Sequence, residues 1–142
     1  MGGLPEQMKK NYRIIDANLN RAREALRVIE DALRFVIADE TLSGEIKKLR
    51  HDTDKVLRSS YGVLIAARDS AGDFGRKAKE PAKKTLESLI TSNFKRAGEA
   101  LRALEEYSKV VFAAKAEAFK KLRFKVYELE KKHYERNYKN YS

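Results

Sequence analysis

The chain carries one helical motif twice, and that repetition restricts its fold more than any other feature. Asn18-Leu19-Asn20-Arg21-Ala22-Arg23-Glu24-Ala25-Leu26-Arg27-Val28-Ile29-Glu30-Asp31 returns as Asn93-Phe94-Lys95-Arg96-Ala97-Gly98-Glu99-Ala100-Leu101-Arg102-Ala103-Leu104-Glu105-Glu106, with an offset of 75 residues. A second echo, Ile46-Lys47-Lys48-Leu49-Arg50 against Phe119-Lys120-Lys121-Leu122-Arg123, follows at an offset of 73. A repeat of this length implies two similar helical hairpins and a pseudo-symmetric core. With 7 Gly, 2 Pro and abundant Ala, Leu, Glu, Lys and Arg, the composition favours helix almost throughout. The expected fold is therefore all-α: one domain over 1–142, an antiparallel four-helix bundle made of two repeated hairpins.

The apolar periodicity predicts a first helix from Arg13 to about Ala38, with Asp16 as an N-cap for its repeat portion, and a turn over Asp39–Gly44. A second helix starts at Ser43 and runs to about Ala67, which closes hairpin one at about 13–68. Arg68-Asp69-Ser70-Ala71-Gly72-Asp73-Phe74-Gly75 breaks the pattern, and a basic connection reaches Pro81. Hairpin two spans about 82–140. Its helices run from Ala82 to Phe112 and from Lys115 onward, with fraying expected beyond His133.

At about 100° per residue, Ala25, Val28, Ile29, Ala32, Leu33 and Val36 form one apolar arc, and Asn18 and Arg21 fall inside it. Asn93 and Arg96 lie in the same way against Ala100, Ala103, Leu104, Tyr107 and Val111. A buried guanidinium near a helix start is disfavoured by desolvation and by the helix dipole, so it needs compensation. In an up-down-up-down bundle the helices that carry the repeats run parallel. Arg21, Arg96, Arg68, two Asn amides and helix N-terminal amides would then gather at one end, a set suited to phosphate. Asp69 and Asp73 on the loop could hold Mg²⁺. The alternative is structural: Glu24 and Glu99 neutralise the arginines, and the loop is an ordinary turn. Across each hairpin, Arg50 faces Glu30 or Asp31, and Arg123 faces Glu105 or Glu106, as internal ion pairs.

The net charge of +10 admits a nucleic-acid reading, but its charges alternate with Glu and Tyr, and no aromatic RNA-binding motif, zinc-ligand set or phosphate loop is present. Without Cys there is no disulfide or thiol chemistry, and a cytoplasmic home is the default. No apolar run approaches the roughly 18 residues of a membrane span. The last helix, long and carrying Phe119, Phe124, Tyr127, Tyr134, Tyr138 and Tyr141 among its charges, is compatible with a homodimer.

The stretch Arg13 to Asp31, the loop Ala67 to Gly75, the second motif Asn93 to Tyr107 and the segment Leu122 to Glu130 together resemble a small all-helical hydroxymethylpyrimidine-phosphate kinase family of thiamin biosynthesis. Its members stand alone or are fused in front of thiamin-phosphate synthase. The resemblance covers nearly the whole chain and departs at Phe74, where a smaller Val is expected. It implies ATP-dependent phosphorylation of hydroxymethylpyrimidine phosphate, with ATP and Mg²⁺ as cofactors. In that scheme Arg21 and Arg96, with Arg68, bind phosphates, and Asn18 and Asn93 orient the pyrimidine or the phosphate oxygens. Asp69 and Asp73 serve catalysis through Mg²⁺, and Glu24 and Glu99 orient the arginines. Two alternatives remain open. One is a non-catalytic helical module that binds pyrimidine phosphates or docks on thiamin-phosphate synthase. The other is a basic helical nucleic-acid binder.

Overall fold

A computed structural model describes residues 5–69, 72–77, 82 and 85–141, all helical or connecting. Ser70 and Ala71 of the expected loop, and 78–81 of the basic connection, lie outside the described residues. The helices are α1 (Glu6–Asp31), α2 (Glu40–Val56), the short α3 (Tyr61–Ala66), α4 (Leu86–Val111) and α5 (Ala116–Tyr141). Five packed helices make an all-α bundle, in which α1, α2, α4 and α5 form the four long walls and α3 joins α1. Among the described residues, no helix is long and apolar enough to cross a membrane.

The repeat forms the centre of this bundle. Ile15, Leu19, Ala22, Leu26 and Ile29 of α1 match Ile90, Phe94, Ala97, Leu101 and Leu104 of α4 at the same offset of 75, and all ten are buried. Spacings of four and three keep each set on one helical stripe. The α2 residues Leu42, Ile46 and Leu49 and the α5 residues Phe119, Val126 and Leu129 close the core from the other side. The ion pairs expected within each hairpin are present. Arg50 Nε lies 3.0 Å from Glu30 Oε1, and Arg123 Nη2 lies 3.0 Å from Glu105 Oε1.

The direction of α4 departs from the expected bundle. Tyr12, near the start of α1, packs on Phe112, just past the end of α4, with ring centroids 5.5 Å apart. At the other end of the molecule, Phe94 near the start of α4 stacks on His133 near the end of α5 at 6.0 Å. Asn137 of α5 also reaches Asp39, which lies between α1 and α2. So α1 and α4 run antiparallel, and the order along the chain is up, down, down, up. The physical reason is the long connection after Val56: α3 and the following segment return the chain to the opposite end before α4 begins. Two hairpins related by a two-fold between antiparallel α1 and α4 result.

Several boundaries also move. Helix α1 starts at Glu6, because Tyr12 and Ile15 extend its buried stripe backwards, with Met8 packed against the core. Asp16 is therefore an interior residue and not a cap. Helix α2 starts at Glu40, before Ser43, because Asp39 is its N-cap and accepts a hydrogen bond from Leu42 N at 3.0 Å. Thr85 and Ser88 form a reciprocal capping box for α4. Beyond α1, Ala32–Ile37 winds as π-helix. The wider winding rotates the apolar face, so Phe35 and Val36 point to solvent and Val36 leaves the expected arc. Tyr107 is likewise part-exposed.

The π turn ends at Ala38, a non-glycine residue at φ 62° and ψ 37°. Its Cβ crowds the backbone in this left-handed conformation, which is usually assigned to Gly. Ala38→Gly is expected to stabilise the protein by about 0.5–1 kcal/mol, seen as a higher urea midpoint with an unchanged slope.

Helix α5 stays packed past His133, as far as Asn137, where fraying was expected. His133 and Asn137 are buried, and Asp39 accepts hydrogen bonds from Asn137 Nδ2 at 2.7 Å and Arg136 Nη2 at 3.1 Å. Burial works against the Asp39 carboxylate. The bonds from Asn137 and Leu42 and the Arg136 charge together outweigh it and hold its pKa below the ordinary 3.8. Burial also lowers the His133 pKa below 6.5, against the pull of Asp39. Both shifts mean that the unfolded chain binds more protons as acid is added. Stability is therefore full above about pH 6.5, falls first as His133 is forced to protonate, and falls again below the ordinary Asp range. Thermal unfolding followed across this range should show His133→Gln flattening the first decline while leaving the second.

Candidate functional site

The repeated polar residues converge, although by a different route from the one expected. Because α1 and α4 cross antiparallel about a pseudo-two-fold, Asn18, Arg21 and Glu24 enter one cleft from one helix, and Asn93, Arg96 and Glu99 enter it from the other. The cleft has a volume of about 540 Å³ and an apolar floor of Ala25, Val28 and Ala100. That size suits a small ligand.

Asn18 and Asn93 are 6% and 3% exposed. Each amide nitrogen donates to the carbonyl one turn earlier, Asn18 to Ile14 O at 2.9 Å and Asn93 to Leu89 O at 2.8 Å. Asn in a helix interior carries a propensity cost, and here the cost is accepted twice in the same geometry. Tying the nitrogen to the helix fixes each amide and leaves its oxygen as the group offered to other donors. Arg21 Nη1 takes that role at Asn18 Oδ1, at a long 3.5 Å.

Arg21 is exposed, contrary to the inward position read from the helical wheel. Its Cα lies near the buried arc, but its long side chain carries the guanidinium to the rim. It forms no ion pair with Glu24 among the described residues, and Glu24 and Glu99 are both exposed. Helix N-terminal amides are absent from this place, since Arg21 and Arg96 both lie well inside their helices.

A second recess of about 550 Å³ adjoins the cleft and shares Asn18 and Arg21 with it. Lys10, Arg13, Asp16 and Asn20 of α1 line it, together with Arg68, Asp69 and Asp73 from the segment after α3. A two-point ion pair fastens that segment to α1: Arg68 Nε donates to Asp16 Oδ2 at 2.6 Å, and Nη2 donates to Oδ1 at 3.0 Å. Arg13 Nη2 adds a bond to Asp69 O at 3.4 Å. Arg68 thus reaches the site mainly as the fastener of this segment.

Asp69 and Asp73 face the recess, but each commits one oxygen to its own turn, accepting from Gly72 N at 2.9 Å and Gly75 N at 3.0 Å. Among the described residues, no group of three or more His, Asp or Glu could hold a metal ion. Phe74 is 94% exposed and anchors nothing.

The structure gathers Asn18, Arg21, Glu24, Asn93, Arg96 and Glu99 around the cleft, whereas Arg68, Asp69 and Asp73, expected in the same cluster, line the adjoining recess. The sequence reading missed Asp16, Arg13 and Asn20. The available signal was Asp16 itself, an acid beside Ile15 on the buried stripe, which needs a cation to be satisfied.

Residues 13–132 match the model of the ThiD2 family. The chain belongs to the ThiD2 family. It is 44% identical over 122 residues to a thiamine-phosphate synthase of Nostoc sp., covering 84% of this chain and 34% of that protein. It is 45% identical over 121 residues to the thiamine-phosphate synthase of Thermosynechococcus vestitus, covering 83% and 34%. The thiamine-phosphate synthase of Rhodopirellula baltica is 38% identical over 119 residues, covering 81% and 32%. The chain thus spans about a third of the length of these relatives. No solved structure gives a significant match.

The names of these relatives correct the expected activity. The relatives are named thiamine-phosphate synthase, not phosphomethylpyrimidine kinase, which overturns the kinase activity expected from the resemblance.

Proposed function

We propose that this chain is a non-catalytic helical module of thiamin biosynthesis that holds a phosphorylated pyrimidine in the α1–α4 cleft and docks on thiamin-phosphate synthase. The observation that carries this reading is the match itself: the chain belongs to the ThiD2 family and corresponds to about a third of proteins named thiamine-phosphate synthase. The cleft supplies the chemistry. Ala25, Val28 and Ala100 offer apolar contact for a ring, and the Asn18 and Asn93 amides, each held through its nitrogen, offer oxygens to ring substituents. Arg21, with no carboxylate partner among the described residues, supplies charge-assisted donors for a phosphate.

The test is to add hydroxymethylpyrimidine phosphate to the purified chain, with and without ATP and Mg²⁺, and to titrate the chain against a thiamine-phosphate synthase. The expected results are a rise in Tm with the pyrimidine phosphate, no ADP, and a saturable complex with the synthase. ADP release would overturn the non-catalytic reading. An unchanged Tm would overturn the ligand, and absence of a complex would overturn the docking.

A further inference from the structure

The outer face of α5 carries a stripe unlike an ordinary solvated helix face. Lys120, Phe124, Tyr127, Lys131, Tyr134 and Tyr138 follow one another at alternating spacings of four and three. At about 100° per residue they share one face, roughly 130° around the helix from the buried residues Phe119, Val126, Leu129 and His133. Phe124 and Tyr134 are 52% and 58% exposed, and Tyr127 and Tyr138 are part-exposed beside them. The rings are already arranged against one another: Phe124 meets Tyr127 edge-on at 6.2 Å, and Tyr134 lies 4.6 Å from Tyr138. Tyr127 is also seated over Gly98, where its ring would stand 3.2 Å from an added Cβ.

An alternation of four and three is the seam of a two-stranded helix pair. We propose that this stripe packs antiparallel against the same stripe of a second copy, giving a homodimer joined through α5. The charges select that occupant and that direction. With residue 129 at the two-fold, Phe124 faces Tyr134 of the second copy, Lys131 faces its Tyr127, and Lys120 faces its Tyr138. Each lysine in the stripe then lies over an aromatic ring, where cation–π attraction replaces lost hydration. On the flank, Lys121 meets Glu135 of the second copy, and two-fold symmetry makes every such contact twice. Glu135 holds Lys131 only at 3.9 Å within its own chain, so it is available for exchange. A polyanionic partner fits poorly, because Glu128 and Glu135 border the stripe.

The seam from Lys120 to Tyr138 is about 27 Å long, which is short for a standard interface. The dimer therefore dissociates in the micromolar range. Pre-set rings lower the ordering cost of association.

Sedimentation of the full chain from about 1 µM to several hundred micromolar is expected to show a reversible monomer–dimer equilibrium reaching twice the 16.3 kDa mass. Phe124→Glu abolishes the dimer. Lys121→Glu weakens it roughly tenfold by placing like charges together at both symmetric contacts, and adding Glu135→Lys to that variant restores it. Lys121, Tyr134 and Glu135 are solvent-exposed, so their variants keep the parent Tm at low concentration; Phe124 also stacks on Arg123, so Tyr134→Lys serves as the second seam variant that leaves this contact in place. A chain that stays monomeric at the highest concentration overturns the proposal. A dimer indifferent to the seam variants, or a charge reversal without rescue, does so equally.

Discussion

Arg123→Ala is expected to destabilise the protein by about 3 kcal/mol, a drop in Tm on the order of 10 °C. Arg123 donates to Glu105 Oε1 through both Nε and Nη2, at 3.1 and 3.0 Å, and both side chains are almost fully covered. Removing the guanidinium leaves the Glu105 carboxylate buried between α4 and α5 without a counter-charge, and this orphaned acid is the main cost. Losing the stacking of the guanidinium on Phe124, at 4.9 Å, adds to it. Arg50→Ala breaks the equivalent pair with Glu30 but costs less, because the Arg50 side chain is 19% exposed and water can replace part of what is lost. The ordering of the two losses in urea unfolding is the check. A further variant separates mechanism from packing: Arg123→Met together with Glu105→Met removes both charges, and it should recover most of the loss suffered by Arg123→Ala. If the double variant is no better than the single one, the damage lies in shape and not in the unpaired carboxylate.

How much of this architecture was legible in the sequence depends on the range of the interaction. The core stripes of α1 and α4 could be read because helical periodicity is local: Ile15, Leu19 and Ala22 announce themselves by spacing, and their repetition as Ile90, Phe94 and Ala97 doubles the signal. The Glu30–Arg50 and Glu105–Arg123 pairs were legible for a similar reason, since a short turn leaves a hairpin little freedom of register. The relative direction of α1 and α4 was not. Periodicity says which face of α4 is buried, but it says nothing of the end at which the long connection after Val56 delivers the chain. Contacts that settle the direction, Tyr12 with Phe112 and Asp39 with Asn137, join residues about a hundred positions apart.

The site shows the same division. The pairing of Asn18 with Asn93 and of Arg21 with Arg96 followed from the repeat, and a two-fold brings equivalent residues together around its axis whether the helices run parallel or antiparallel. These residues therefore meet although the helices run opposite to the expected direction. Asp16 is an interior residue of α1 and not the expected cap, and only the earlier start of that helix places its carboxylate on the flank where Arg68 can reach it.

Arg21→Ala is expected to weaken binding of hydroxymethylpyrimidine phosphate roughly 10- to 100-fold, the equivalent of about 1.5–3 kcal/mol for hydrogen bonds to a charged group. The same change should leave stability within about 0.5 kcal/mol of the parent, because Arg21 is exposed and its hydrogen bond to Asn18, among the described residues, is long. Arg27→Ala is the matched control: it also removes an exposed arginine from α1, but one that pairs with Asp31 at 3.6 Å and lines neither cavity. Arg21 borders both the α1–α4 cleft and the adjoining recess, so its loss alone does not say which one holds the ligand. Arg96 lines only the cleft, and Arg13 lines only the recess. Titration of the three variants therefore locates the phosphate. Weakening in Arg21→Ala and Arg96→Ala but not in Arg13→Ala puts it at the pseudo-two-fold, where two equivalent arginines can share its charge. Weakening in Arg21→Ala and Arg13→Ala instead puts it beneath the segment fastened by Arg68. Binding that survives the loss of both Arg21 and Arg96 removes the cleft from consideration.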